Sequence, residues 1–162
     1  MNTGQMLLTA GAVVLIGLTV STVQRNFANH GFILQQAEIG IYKVSLGMSV
    51  LEEAMGKAFD ENTIDTDVSS VNSLTSTLGK ESGEVHPDFD DFDDYHNYTT
   101  TLGISGVDSL TVKCSVVYVN PSDPDGSSTS RTWHKKITVS VWGTVQPDTL
   151  TFKHIFSYWS FR

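Results

Sequence analysis

The stretch MLLTAGAVVLIGLTVSTVQ, residues 6–24, decides the fold, because it places nineteen residues without a charge near the start of the chain. As an α-helix it would reach ~28 Å, about the thickness of the hydrocarbon core of a bilayer. The first cation, Arg25, follows this run, whereas a secretory signal peptide carries its basic residues before it. We therefore expect a retained helix that can reside in a membrane, either after removal of a basic leader or through another mode of insertion.

The apolar pattern extends well beyond this first run. Over residues 13–58, apolar side chains recur in alternating steps of three and four, and only His30 interrupts the series. This spacing forms a heptad stripe, which is typical of a helix that packs along its whole length. No proline occurs before Pro87. We predict one helix over residues 4–59, ~80 Å long, with a kink or a melted turn at residues 29–31, where Asn and Gly disfavour helix.

A second apolar set lies off the stripe, at Phe32, Ile39, Tyr42, Leu46 and Val50. The helix from residue 32 to residue 59 thus has two apolar sides, of which one can hold the chain's own globular domain. The other side needs a different partner, and we expect a copy of the same chain. Small residues allow packed helices to approach closely, and the helix has glycines at Gly11, Gly17, Gly40, Gly47 and Gly56. The alternative is a single-pass membrane anchor with a stalk.

The remaining chain changes character twice. Residues 60–100 contain eleven acidic residues and one basic residue, and we predict an acidic linker loop that would repel nucleic acid. Residues 101–162 alternate apolar and polar side chains, which predicts an antiparallel sheet with three strands at residues 110–118, 133–142 and 150–158. Within residues 1–59, we assign 1–25 to a membrane or filament core and 32–59 to packing on the globular domain. The predicted fold class is α+β, a long N-terminal helix on a small antiparallel sheet.

The sequence contains few residues that suggest chemistry. It has no nucleophile, phosphate-loop or metal-protease motif, so we predict that the protein is not an enzyme. Cys114, the single cysteine, lies in a strand pattern and is expected in the core. Crowded acidic side chains suggest calcium as the one cofactor, with candidate ligands at Asp88, Asp90, Asp91, Asp93 and Asp94. The alternative for these residues is a solvated acidic loop. The sequon Asn97-Tyr98-Thr99 makes Asn97 a candidate glycosylation site.

Three segments of the middle of the chain carry a family resemblance: EEAMGKAFDENT at 52–63, GKESGE at 79–84 and FDDFDDYH at 89–96. In this order, behind a long apolar helix, they resemble the type IV pilin superfamily. Within it they are most similar to minor pilin-like proteins of the mannose-sensitive haemagglutinin pilus class and to related pseudopilins. The family has a glutamate at the fifth position of the mature chain, which pairs with a neighbour's terminal amine. This chain has Gln5, which can donate and accept hydrogen bonds but cannot neutralise that amine.

The resemblance implies a structural subunit of an extracellular filament at the cell surface, with helices in the core and sheet domains in the shell. Its partners would be copies of itself in a helical homopolymer, the inner membrane before assembly, and the pilus assembly machinery. The residues expected in the filament core are Gln5, Leu8, Val13, Ile16, Val20, Val23 and Phe27. Two alternatives stay open: a minor pilin or pseudopilin of a secretion or pilus machine, and a single-pass anchored binding module.

Overall fold

A long helix and a four-stranded antiparallel sheet make up the fold in a computed structural model that describes residues 2–104 and 108–160. Helix α1 spans Thr3–Met55, and the strands are β1 (Thr99–Ile104), β2 (Asp108–Tyr118), β3 (His134–Gly143) and β4 (Leu150–Ser157). The strands pair in chain order, β1-β2-β3-β4, as an antiparallel meander. The α+β prediction is therefore confirmed. The chain divides into two units, residues 1–38 and residues 39–162.

Helix α1 ends four residues before the predicted position because the following backbone forms other hydrogen bonds. The Ala58 amide donates to the Asp90 carbonyl at 3.1 Å, and the Ala58 carbonyl accepts from the Phe92 amide at 2.9 Å. These two bonds form a short parallel bridge that directs residues 57–59 away from the helix axis. Residues 29–31, where we predicted a kink or melted turn, are helical. A single glycine costs a helix only about 1 kcal/mol.

The core of the second unit forms between the last turns of α1 and one face of the sheet. The buried helix residues are Ile39, Lys43, Gly47, Val50, Leu51 and Ala54. Most of the apolar side chains that the alternation predicted as inward-facing are buried, whereas Trp133, Leu150 and Phe152 are half-buried. The buried ones are Leu110, Val112, Cys114, Val116, Tyr118, Ile137, Val139, Val141 and Phe156 in the sheet, and Tyr158 directly after β4. The side of the helix that faces this core includes Ile39 and Val50 from the off-stripe set. Burial of this apolar surface is the main stabilising contribution to the unit.

Residues 60–98, predicted as an acidic linker, contribute to the same core. Phe89, Phe92 and Tyr95 are at most 3% exposed, and Leu74 is 2% exposed. Three short 3₁₀ turns, at Glu61–Thr63, Val71–Ser73 and Asp93–Tyr95, fold this segment against the domain. The acidic composition predicted a loop, but the three aromatic side chains are buried in the core, and their burial stabilises the position of the segment although the polar residues between them are exposed. The segment is therefore a part of the globular unit.

Two buried lysines attach loops to the helix and to the sheet, Lys43 on α1 and Lys136 on β3. The Lys43 ammonium donates to the Gln146 and Asp148 carbonyls at 2.8 and 2.9 Å and to Asp148 Oδ1 at 2.9 Å. The Lys136 ammonium donates to three carbonyls of the β2–β3 connection, at Pro124, Asp125 and Gly126. An ammonium group has three protons to donate, and each of these lysines makes three contacts. Burial of the charge is thus compensated by hydrogen bonds to the loop backbone.

Candidate functional site

The first unit presents its apolar side chains to the surroundings on every side of the helix. The seven residues expected in a filament core are all exposed, with Leu8 at 76%, Val13 at 69% and Phe27 at 72%. In the most apolar 18-residue window of α1, none of the side chains is buried, and the helix is long and apolar enough to cross a membrane. Monomeric soluble proteins rarely expose an apolar surface of this size. We call this surface the apolar helix surface (residues 3–38).

Three threonine hydroxyl groups within this surface donate hydrogen bonds to backbone carbonyls of the helix itself. Thr9 donates to the Gln5 and Met6 carbonyls at 3.0 Å, Thr19 to the Ile16 carbonyl at 2.8 Å, and Thr22 to the Leu18 carbonyl at 2.9 Å. In a hydrocarbon environment an unsatisfied polar group costs several kcal/mol. These three threonines avoid that cost without any partner. These three threonines are therefore compatible with lipid.

The glycines of the first unit leave notches on this surface. A Cβ atom added at Gly11 or Gly17 would meet no atom of the described chain within 4 Å. Gly47, in the second unit, differs: a Cβ there would lie 2.4 Å from Cε2 of Phe152 on β4. Gly47 therefore serves the packing of α1 on its own sheet, and Gly11 and Gly17 have no such role inside the described chain.

The second unit also leaves an apolar row of α1 exposed. Ile41 is 69% exposed, Val44 46% and Met48 38%, although the opposite side of the same turns is buried. These three residues belong to the heptad stripe. The sequence predicted two apolar sides for this part of the helix. The structure buries Ile39 and Val50 of the off-stripe set together with Leu51 of the stripe, whereas Tyr42 of the off-stripe set is exposed. The two predicted sides are therefore only partly separated into a buried and an exposed one.

A buried ion-pair network lies where the helix joins the domain. The Lys135 ammonium donates to Asp60 Oδ2 at 2.8 Å, to the Phe59 carbonyl at 2.8 Å, and to Asp93 Oδ1. The Tyr118 hydroxyl adds a bond to Asp60 Oδ2 at 3.2 Å. Lys135, Asp60 and Asp93 are at most 1% exposed. One cation for two carboxylates, with no solvent access, is an arrangement that holds segments in place.

The five predicted calcium ligands do not form one group. Asp88 and Asp90 are exposed, and Asp91, Asp93 and Asp94 are buried. Asp91 Oδ1 accepts from the Asp93 and Asp94 amides at 2.7 and 3.0 Å, and Asp93 pairs with Lys135. Burial, with the Asp93 charge as the second cause, raises the pKa of Asp91 to about 9. Asp91 and Asp93 are thus engaged by the backbone and by a lysine, because the chain makes a tight 3₁₀ turn there.

A different set of carboxylates does come together. Oxygens of Glu84, Asp90 and Asp94 lie within 4.8 Å of one another, and oxygens of Glu61, Glu81 and Glu84 do the same. We call these five residues the acidic cluster. Burial, followed by the neighbouring Glu84, raises the pKa of Glu81 to about 8. Burial also raises the pKa of Asp94 and of Glu61 above the ordinary values of these groups.

Sequence reasoning missed the three glutamates of this cluster. Glu61 follows the helix end, and Glu81 and Glu84 lie in the GKESGE stretch, separated by 20 residues or more in the chain from Glu61. Only the fold brings them beside Asp90 and Asp94. The sequence signal for this turn is Gly83, a glycine between the two glutamates. In the structure its φ is 104°, a conformation that glycine adopts without strain.

Asn97 lies in the turn that leads into β1. Its φ of 63° is in the left-handed region, where asparagine is among the tolerated residues, and the residue is exposed. Its amide donates to the Cys114 carbonyl at 3.1 Å. The position is accessible, and glycosylation of Asn97 stays a prediction.

Comparison with protein-family models, with curated proteins and with solved structures gave no match to this chain. The geometry of the apolar helix surface and of the acidic cluster is therefore the basis on which a function can be argued.

Proposed function

We propose that the chain is a structural subunit of an extracellular helical filament, with its helices in the filament core and its sheet domains in the shell. The observation that carries the proposal is the exposure of the apolar helix surface, on which Leu8, Val13, Ile16 and Phe27 are all more than 60% exposed. Lipid covers such a surface before assembly. Helices of other copies cover it in the filament, where close packing replaces the lipid contacts.

The exposed row of the second unit supports the same proposal. A helix needed only as a membrane anchor has no reason to keep Ile41, Val44 and Met48 apolar and exposed on a soluble domain. Copies that pack head to tail, with two different surfaces in contact, form an open helical fibre when the rotation does not close a ring. The resemblance to type IV pilins agrees with this arrangement.

The two glycine notches provide the test. We would express Gly11→Leu and Gly17→Leu variants in cells that make the filament, shear the cells and examine the released material by electron microscopy. A Cβ atom at either site meets nothing within 4 Å in the described chain, and the surrounding helix is exposed, so we expect the leucine variants to fold. In a packed core, overpacking costs about 1–3 kcal/mol per contact, and fibre yield should fall by about tenfold or more.

The matched control is Val14→Leu, which adds one methylene to an exposed side chain of the same helix and should leave fibre yield within about twofold of wild type. The amount of protein in the membrane fraction should be equal in all variants. Wild-type cells that release no fibres, with the protein present only as a membrane monomer, would exclude a filament subunit. Glycine variants that assemble normally would favour an anchored binding module. A fibre that contains the chain at low stoichiometry would assign it as a minor subunit.

A further inference from the structure

The acidic cluster joins three segments that are distant in the sequence. Glu61 belongs to the 3₁₀ turn Glu61–Thr63, and Glu81 and Glu84 flank a turn closed by the Glu84 amide on the Glu81 carbonyl at 3.3 Å. Asp90 and Asp94 come from the segment that precedes β1. Glu84 is a member of both groups of three oxygens that lie within 4.8 Å of one another. It is therefore the centre of the cluster.

A second observation concerns the hydrogen bonding of Asp94, which is 1% exposed. Its Oδ2 atom accepts from the Asp90 and Asp91 amides at 3.1 and 3.2 Å. Its Oδ1 atom has no access to solvent and accepts no hydrogen bond from any residue in 2–104 or 108–160. Over those residues, Oε2 of Glu61 and Oε2 of Glu81 are likewise buried and accept no bond from an N–H or hydroxyl group. The Glu81 and Asp94 side chains each lie in hydrogen-bond contact with the Glu84 carboxyl group. Carboxyl groups crowded in this way relieve their repulsion by holding protons, which raises their pKa values, or by binding a cation.

The neighbouring lysines do not fill this role. The Lys80 ammonium donates to the Glu84 backbone carbonyl at 3.0 Å, and the Lys57 ammonium donates to the Phe89 carbonyl. Lys135 pairs with Asp60 and Asp93. Within the described part of the chain, no ion pair of 4.0 Å or less reaches a carboxylate of the acidic cluster. No basic side chain of that part of the chain therefore pairs with the cluster.

We propose that the acidic cluster is a divalent-cation site that binds Ca²⁺, with Glu84, Asp90 and Asp94 as the first ligands and Glu61 and Glu81 beside them. The donors are all carboxylate oxygens, which suit hard cations and not zinc or copper. Ca²⁺ takes six to eight oxygens in flexible geometry, whereas Mg²⁺ demands a near-ideal octahedron and retains its waters. A crowded set of carboxylates drawn from three loops fits the larger ion.

A cation bound at this site would stabilise the folded conformation of the segment 60–98. A cation at Glu84 would tie the turn after α1, the Glu81–Glu84 turn and the segment before β1 to one another. This role goes beyond filament assembly, and it holds for an anchored or a minor subunit as well as for a major one. Failure of either proposal therefore leaves the other standing.

The test uses the purified full chain in detergent, with ⁴⁵Ca²⁺ equilibrium dialysis and with thermal unfolding in EGTA and in 10 mM CaCl₂. Extracellular calcium modules bind at about 10⁻⁴–10⁻³ M. At that affinity, stabilisation by ligand binding to the folded state should raise the midpoint by about 3–11 °C. The Glu84→Gln and Asp90→Asn variants should bind Ca²⁺ at least about tenfold more weakly and should lose most of the thermal shift. Magnesium chloride at the same concentration should give a smaller shift.

The matched control is Asp88→Asn, which removes one exposed carboxylate from the same loop outside the cluster and should keep wild-type binding. A variant that unfolds at the wild-type temperature in EGTA has kept its fold, so its loss of Ca²⁺ binding is due to the removed ligand and not to unfolding. Wild-type protein that binds no Ca²⁺ at 10 mM would overturn the proposal. Equal loss in Asp88→Asn and Glu84→Gln would overturn it as well, because it would mean diffuse attraction by an acidic surface.

Discussion

Gly47 offers the sharpest test of how α1 packs on the sheet. A Cβ atom at this position would lie 2.4 Å from Cε2 and 2.7 Å from Cδ2 of the half-buried Phe152 ring. Real carbon atoms do not approach so closely, so the Gly47→Ala variant must move the ring or the helix. Overpacking of this kind costs about 1–3 kcal/mol, and the better helix propensity of alanine returns about 1 kcal/mol. The expected net loss of unfolding free energy is about 0–2 kcal/mol.

Gly40→Ala is the matched control on the same helix. A Cβ at Gly40 meets nothing within 4 Å, so only the propensity effect acts and the variant should be more stable by about 1 kcal/mol. The difference between the two variants, about 1–3 kcal/mol, isolates the contact with Phe152. The double variant Gly47→Ala/Phe152→Leu should recover part of the loss, since it removes the ring atoms that a Cβ would strike.

The assay is urea unfolding of the full chain in detergent, followed by tryptophan fluorescence, because all three tryptophans lie in the second unit. Midpoints of the four proteins give the differences in unfolding free energy when the slope is unchanged. A Gly47→Ala variant as stable as Gly40→Ala would refute the close approach of α1 to β4 at this turn.

Two further predictions concern buried groups of the second unit. Lys135→Met leaves Asp60 and Asp93 buried without their cation and should cost about 3–5 kcal/mol; Lys153→Met, which removes a lysine with an exposed partner at 3.9 Å, should cost less than about 1 kcal/mol. Equal urea midpoints for the two variants would contradict the buried network. Burial raises the pKa of Cys114 to about 12, so the folded thiol should react with iodoacetamide at pH 8 about a thousandfold more slowly than the thiol of the urea-unfolded chain. Below about pH 9 both states hold the thiol proton, so the stability does not change with pH through Cys114; as pH rises from about 9 towards 12 the unfolded thiol loses its proton first and the stability falls. Rapid alkylation of the folded chain would show that the thiol is not in the core.

The sequence-based predictions succeeded where one physical signal dominated. The period of two identified the buried apolar residues of β2 and of the second half of β3, because there one face of the strand is buried; in β4 the predicted inward residues are mostly half-buried. Helical periodicity likewise predicted apolar residues on two sides of α1, of which Ile39 and Val50 are buried and Ile41 and Val44 are exposed. Strand β1 was missed because its exposed TTTLGI sequence has no alternation, and its position is set by pairing with β2.

The candidate site was less predictable because it depends on contacts between distant segments. Local crowding of charge suggested Asp88, Asp91 and Asp93 as ligands, whereas the chain fold uses Asp93 for Lys135 and leaves Asp88 exposed. The approach of Glu61 and Glu84 to Asp94 follows from the way residues 60–98 wrap on aromatic anchors. No local pattern encodes such a distance, so charge composition alone could not select the cluster members.

The threonine hydroxyls that turn back onto α1 have a consequence for recognition between copies. The hydroxyl protons of Thr9, Thr19 and Thr22 are already donated within α1, so these three residues need no partner in the surrounding apolar phase. In the filament that we propose, contact between copies at these three positions would depend on shape, on the glycine positions and the side chains beside them. The chain can therefore exchange one apolar environment for another without breaking any of these hydrogen bonds.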